Sequence, residues 1–311
     1  MKFNPRAKLD RSQVRNRGGG SSRSGFRMPG GRGGGLPRGI PTGGGVVGLI
    51  LVVIVLVVAA RCGAGLPGGS SGDDADARGD TPSECATGAD VAGSQECRVL
   101  ATVNSVQAYW AEALPDQAGV QYESSQWQNF RGSTSSGCGQ ASSSTGPFYC
   151  PVDKEVYIDL TFFDAMLEGE LGATGGDFAE AYVVAHEYGH HVQDLLGTLG
   201  KHQSRETGPT SPSVRIELQA DCYAGAWAHS ATTTTDENGE PFILELSEGD
   251  IAEAIDAATA VGDDRIQERT QGRVNPEQWT HGSAQERVGW FMTGYESGTI
   301  DDCDTFSTDD L

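Results

Sequence analysis

Apolar residues recur at helical spacing in several stretches of the chain. The first stripe advances in steps of four, three, four and four residues and comprises Val99, Val103, Val106, Trp110 and Leu114. A second apolar stripe runs over Phe178–Gly197, where Asp177 fits a helix N-cap and Gly197 fits a C-terminal stop. Both patterns predict amphipathic helices that pack against a core.

Three more helices and a strand are predicted further along. The helices are Val214–Ser230, a helix that starts at Ser247, and a helix over Ala284–Gly294. Apolar and polar residues alternate over Asp153–Leu160, which is typical of a half-buried strand in a short sheet around residues 120–160. We therefore expect an α+β fold that is mostly helical, with a small sheet beside the helix Phe178–Gly197.

A near-unbroken run of Val, Leu and Ile occupies residues 46–60. With its glycine-rich start, the segment 43–61 is just long enough to cross a bilayer, so it predicts one transmembrane helix. A buried core helix is the alternative, although the run lacks polar positions. Residues 1–42 are rich in Gly, Arg and Ser and predict a disordered arm. Residues 1–45 carry ten Lys or Arg and a single acidic residue, which predicts a cytoplasmic N-terminus.

The part of the chain after this segment has a different composition. Residues 62–94 are acidic and rich in Gly and Ser, and predict a flexible linker to one globular domain, residues 95–311. All but one of the 43 acidic residues follow residue 61. Such a surface would repel nucleic acid, so we expect no nucleic-acid partner. The orientation of the predicted span places this domain outside the cytoplasm.

The most informative chemical feature is His186-Glu187-Tyr188-Gly189-His190. Two histidines four positions apart lie on one face of a helix, so both rings can bind one metal ion. Glu187 points off that line and is free to act as a general base toward a metal-activated water. The alternative is a core helix that carries two hydrogen-bonded histidines, but a buried Glu187 would then need partners that nothing nearby supplies.

A catalytic zinc site normally has three protein ligands and an open position. Glu217 and Asp221 share a face of the predicted helix Val214–Ser230, and the small residues Ala220 and Gly225 there allow close packing on the motif helix. We predict Glu217 as the third ligand. Asp221 would accept the spare N–H of a ligating histidine. A solvated acidic face is the alternative reading of both carboxylates.

Two further histidines have predicted roles. His281 lies just before a predicted helix, and we predict that it stabilises the oxyanion; a purely local hydrogen-bonding role is the alternative. His191 points off the ligand line and is expected to pack or to support the site.

The H-E-x-x-H motif followed by E-x-x-x-D resembles the gluzincin branch of metallopeptidases. Six segments further resemble the bacterial putative neutral zinc metallopeptidase family: K-F-N-P-R-A-K-L-D at 2–10, G-P-F-Y-C-P at 146–151, E-V-Y-I-D at 155–159, H-E-Y-G-H-H at 186–191, R-I-E-L-Q-A-D-C at 215–222 and T-H-G-S-A at 280–284. The resemblance implies a zincin-like domain that uses Zn²⁺ and hydrolyses peptide bonds. It also suggests that Asp153–Leu160 is an edge strand that pairs with substrate backbone; an ordinary sheet strand is the alternative.

Six cysteines follow Cys62 in the region placed outside the cytoplasm, where disulfides form. Six cysteines allow 15 connectivities. Proximity in sequence and the resemblance favour three pairs: Cys85–Cys97, Cys138–Cys150 and Cys222–Cys303. Cys222 as a thiolate ligand of the metal is a minor alternative.

The sequence thus predicts a membrane-anchored zinc metallopeptidase that acts on a peptide or protein outside the cytoplasm. Two alternatives remain, a non-catalytic zinc-containing binding or assembly protein and a zinc amidohydrolase with a non-protein substrate.

Overall fold

The structure, a computed structural model, describes residues 1–17 and 84–311. Within these residues the chain forms a mixed α+β fold. Its helices are α1 (Gln95–Ala118), α2 (Asp177–Leu195), α3 (Thr198–Lys201), α4 (Pro212–Ser230), α5 (Glu248–Ala260), α6 (Asp263–Gln271) and α7 (Ala284–Ser297). Its strands are β1 (Lys2–Phe3), β2 (Val14–Arg17), β3 (Trp127–Phe130), β4 (Ser133–Ser136), β5 (Gly139–Ser142), β6 (Phe148–Cys150), β7 (Glu155–Asp159) and β8 (Ile243–Glu245). A π-helical segment, Phe163–Glu170, precedes α2.

Helix α2 lies at the centre and packs against α1, α4 and α5. The stripe predicted for α1 is confirmed, since all five of its residues are buried. The other predicted helices are confirmed too, and Ser247 caps α5 through a reciprocal pair of hydrogen bonds with Asp250. The N-cap prediction for α2 was wrong by one residue. Gly176 precedes the helix with φ of 124°, a conformation that glycine tolerates, and Asp177 is the first helical residue.

Small residues bring α4 close to two neighbours. A side chain at Gly189 of α2 would press on the backbone of Ala220, and a side chain at Gly225 would overlap the carbonyl of Phe291 in α7. Ala220 therefore allows close packing of α4 on α2, as predicted, whereas Gly225 faces α7 and not α2. Both approaches matter for the site, because α2, α4 and α7 supply its side chains.

A four-stranded sheet in the order β2-β3-β7-β6 lies beside α2. Strand β7 confirms the predicted strand, but it is not half-buried, because Tyr157 and Asp159 on its polar positions are also buried. It is not at the edge either. It pairs with β3 on one side and with β6 on the other. Strand β6 is therefore the edge strand of this sheet that lies beside α2.

The prediction that residues 1–42 form a disordered arm was wrong for residues 1–17. Strand β1 pairs with β8, and β2 pairs in parallel with β3, with Val14 fully buried. Asn104 of α1 donates to the backbone of Asp10 and accepts from it. These residues complete the sheet and the core, so they belong to the same folded unit as residues 84–311.

The predicted linker is also shorter than expected. Residues 88–93 form a 3₁₀ helix, and Cys85 is bonded to Cys97 of α1. The predicted transmembrane segment, 43–61, lies outside the described residues and stays a prediction. Among the helices of residues 1–17 and 84–311, none combines the length and the hydropathy that a bilayer crossing requires.

All three predicted disulfides are present: Cys85–Cys97, Cys138–Cys150 and Cys222–Cys303. The third ties α4 to the C-terminal segment across 81 residues of sequence. Because Cys222 takes part in this bond, the alternative that it ligates the metal is wrong.

Candidate metal centre

His186 and His190 lie one turn apart on α2, with ring centroids 4.8 Å from each other. Glu217 reaches them from α4. Its Oε2 lies 3.1 Å from Nε2 of His186, and its Oε1 lies 3.6 Å from Nε2 of His190. One possible ligand atom from each of the three residues lies within 4.8 Å of the other two.

This donor set suits a zinc ion. Two imidazoles and one carboxylate are a common ligand set of catalytic zinc, and they leave a fourth position open. Burial opposes ionisation of Glu217. However, the charges of His190 and His281, with a hydrogen bond from His186, hold the pKa of Glu217 well below its usual value. The carboxylate is thus ready to bind a cation.

Asp221 supports His186, as predicted. It lies fully buried one turn beyond Glu217, and the Nδ1–H of His186 donates to its Oδ1 at 2.8 Å. Burial alone would lower the pKa of His186, but the charge and hydrogen bond of Asp221 raise it to about 9. Because Nδ1 is engaged with Asp221, Nε2 is the ring nitrogen that faces Glu217.

Two residues that sequence reasoning missed complete this support. Tyr182 donates its hydroxyl to Asp221 Oδ1 at 2.5 Å. Arg287 of α7 binds the same carboxylate with two nitrogens, Nε to Oδ2 at 2.8 Å and Nη2 to Oδ1 at 2.9 Å. Desolvation works against the charge on Asp221, but Arg287 and His186 keep the pKa of this carboxyl below its usual value.

Glu187 is buried beside the ligands. Within residues 1–17 and 84–311, no protein group donates a hydrogen bond to its carboxylate. Burial raises its pKa above the ordinary 4.5, although the nearby His190 and His186 oppose this shift. A free carboxylate of raised pKa next to a metal position is suited to accept a proton from water.

His281 lines the same cleft, on the loop before α7. Its ring Nδ1 lies 3.3 Å from Asp263 Oδ1, and Asp263 Oδ2 accepts the backbone N–H groups of Thr280 and His281, each at 2.6 Å. Burial lowers the pKa of His281, but Glu217 and Asp263 raise it by more, so the net shift is upward. The sequence analysis missed Asp263, because its position at the start of α6 does not indicate a contact with His281, 18 residues away.

The other three histidines, His191, His202 and His229, are not among the candidate metal ligands. His191 is fully buried, and its ring nitrogens contact Tyr149 Oη at 3.1 Å and the carbonyl of Glu123 at 2.6 Å. His202 stacks on Phe306 at the rim of the cleft. His229 contacts the carbonyl of Tyr295, away from the metal ligands.

The ligands open into a cleft of about 310 Å³. Part of the lining is apolar and is called the apolar wall here; it comes from the π-helical segment with its two flanking residues, from α2, from the α5–α6 junction and from α6: Phe162, Met166, Leu171, Val183, Val261 and Ile266. Strand β6 also lines the cleft, with Phe148 and Tyr149. The cleft therefore combines a metal position, a free base and an apolar wall.

The chain matches the family described as "Putative neutral zinc metallopeptidase" over residues 11–306. The uncharacterized protein Rv2575 of Mycobacterium tuberculosis is 54% identical over 230 residues, which cover 74% of this chain and 76% of that protein. The uncharacterized protein YpfJ of Escherichia coli is 40% identical over 299 residues, which cover 94% of this chain and 93% of that protein. No solved structure matches the chain. With two histidines and a glutamate placed to hold zinc, this chain belongs to the putative neutral zinc metallopeptidase family.

Proposed function

We propose that this protein is a zinc-dependent peptidase. The observation that carries the proposal is the convergence of His186, His190 and Glu217 on one point, with the buried carboxylate of Glu187 beside it. A purely structural zinc site normally uses four protein ligands and needs no adjacent base. The presence of three ligands and a base favours hydrolysis over an assembly role.

The roles of the side chains follow from their positions. When bound, zinc lowers the pKa of a water and polarises the substrate carbonyl. Glu187 accepts the proton of the attacking water and then delivers it to the departing amine. His281, oriented by Asp263, donates a hydrogen bond to the oxyanion.

The edge of the sheet supports an extended peptide as the substrate. The amide of Val156 donates to Gln126 O at 3.1 Å, on the β3 side of β7. Tyr149 faces Val156 in the antiparallel pair, so its own N–H and C=O point away from β7, to a side of β6 that pairs with no other strand of residues 1–17 and 84–311. A peptide strand can pair with these groups while it lies along the cleft. The apolar wall favours a substrate with a large apolar side chain near the cleaved bond.

The location that fits this fold differs from the predicted one. Residues 1–17 and 84–311 share a sheet, so a single crossing between them would place partners of one sheet on opposite sides of a membrane. The pairing of β2 with β3 therefore argues against a cytoplasmic N-terminus combined with an outside domain. We propose that both parts lie together in an oxidising compartment, which the three disulfides favour.

The function is tested with the full chain, because a 95–311 fragment would lack β2 and Cys85. We expect about one zinc per chain and cleavage of members of an unbiased peptide library. Glu187→Gln is expected to bind zinc equally well but to lose most of its cleavage rate, by a factor of at least about 10² for a general base. Glu168→Gln, the same change at an exposed position of the π-helical segment, serves as the matched control.

A Glu187→Gln protein that cleaves at the wild-type rate would remove the proposed base. Zinc binding without any peptide cleavage would favour the non-catalytic alternative. Cleavage of non-peptide amides alone would favour the amidohydrolase.

A further inference from the structure

We propose that Gln193 and Gln219 are positioning residues that fix the tautomer of His190. This inference rests on the proposed zinc site. Gln193 Oε1 lies 2.8 Å from Nδ1 of His190, and Gln193 Nε2 donates to Gln219 Oε1 at 3.0 Å. Both glutamines are buried, with exposures of 0% and 6%. Neither residue was assigned a role from the sequence, although Gln219 lies in the segment R-I-E-L-Q-A-D-C.

The hydrogen bonds determine which end of each amide faces which partner. A backbone carbonyl can only accept, so the amide nitrogen of Gln219 must face Cys303 O, at 2.9 Å. Its oxygen then faces Gln193. Likewise, Ile216 O accepts from Gln193 Nε2 at 2.7 Å. Each of the two carbonyls fixes the orientation of one amide, and the two orientations agree: both place Gln193 Nε2 toward Gln219 Oε1.

This orientation leaves only an acceptor, Gln193 Oε1, for the ring of His190. Nδ1 of His190 must therefore carry the proton, and Nε2, which faces Glu217, keeps a free lone pair when the ring is neutral. Asp221 imposes the same tautomer on His186 from the other side. The tautomer of each histidine is thus fixed by a different kind of partner. His186 has the carboxylate of Asp221, and His190 has the neutral amides of Gln193 and Gln219.

The amide pair also connects His190 to the C-terminal segment. The carbonyl that orients Gln219 belongs to Cys303, which is held against α4 by the bond to Cys222. The segment after α7 therefore contributes to the metal site although it supplies no ligand.

The first test is a tautomer measurement on the zinc-free full chain, labelled with ¹⁵N in its histidine rings. With the ring of His190 neutral, long-range ¹H–¹⁵N spectra are expected to show the proton on Nδ1. A proton on Nε2 would overturn the inference. Because this measurement involves neither zinc nor catalysis, its result is independent of the proposed function.

The second test compares zinc affinities by competition with a chelator. Gln193→Leu is expected to weaken zinc binding by about 10–100-fold, as loss of a hydrogen-bonded partner of a ligand typically does. Gln219→Leu should weaken it less, because Ile216 O still orients Gln193. Gln107→Leu, which removes another buried glutamine, is the control and should leave the affinity unchanged.

Wild-type affinity in Gln193→Leu would overturn the inference while leaving the zinc site intact. If Gln193→Leu fails to fold, Gln219→Leu and the tautomer measurement decide. A wild-type chain that binds no zinc would instead contradict the proposed function.

Discussion

At the residue scale, the carboxylate of Asp221 is held between His186 and Arg287. His186, His190, Glu217 and Asp221 share helical faces, so spacing alone grouped them. Arg287 lies 66 positions from Asp221, and no periodicity links the two. It neutralises a carboxylate that would otherwise be costly to bury. The sequence signal that could have pointed to Arg287 is its helical spacing from Ala284 and Phe291, which places a charge on the buried stripe of that helix.

The shifted pKa values predict a bell-shaped dependence of kcat/KM on pH. Glu187 must be ionised to accept a proton, and burial raises its pKa, so activity should fall as the pH decreases through a value above 4.5. The pKa of His281 is raised by Glu217 and Asp263 against the effect of burial. Loss of its proton should therefore reduce activity as the pH rises through a value above 6.5.

The matched variant for this profile is His281→Gln, which keeps a donor that does not titrate. We expect a lower kcat and no alkaline limb from residue 281. An alkaline limb that persists unchanged would assign that limb to another group.

At the element scale, helix positions were predictable, but strand order was not. Helical spacing located α1, α2 and α4, although each of the three is buried on more than one face. The alternation in β7 suggested one exposed face, whereas Tyr157 packs in a second apolar cluster against Phe148. Asp159 is buried as well and accepts a hydrogen bond from the backbone of Gly132. The edge strand β6 has only three residues, too few for a periodic signal.

The close packing of α4 on α7 gives a prediction for stability. Gly225→Ala places a methyl group against the carbonyl of Phe291, so we expect a loss of about 1–3 kcal/mol in the free energy of unfolding. Gly289→Ala in α7 is the matched control, because a Cβ there meets nothing within 4 Å. The control should gain up to about 1 kcal/mol from helix propensity.

Urea unfolding of both variants measures these changes. Equal stabilities for Gly225→Ala and Gly289→Ala would mean that the two helices do not approach as closely as described. Because α7 carries Arg287, the Gly225 variant is also expected to bind zinc more weakly than the control.

At the scale of the whole molecule, composition misled the assignment of the N-terminal residues. A basic, glycine-rich stretch is typical of disorder, yet Ala7, Leu9 and Val14 are buried in the domain. The pairing of β2 with β3 joins residues more than 100 positions apart, and no local pattern reports such a contact. The extent of the folded unit could therefore not be predicted from local composition.

Val14→Asp tests whether this strand belongs to the fold. A buried carboxylate without a partner should destabilise the domain by about 1–3 kcal/mol or more and lower its melting temperature. Arg15→Asp, at an exposed neighbouring position, should have little effect. Identical melting temperatures for the two variants would indicate that residues 1–17 are not part of the core.

The proposed function depends on one zinc ion being held by His186, His190 and Glu217. X-ray absorption at the zinc edge of the purified full chain tests it most directly. We predict one zinc per chain with two imidazole nitrogens at about 2.0–2.1 Å and carboxylate and solvent oxygens at about 2.0–2.2 Å. A sulfur-ligated zinc, or a zinc signal that survives in a His186→Ala and His190→Ala double variant, would contradict the account.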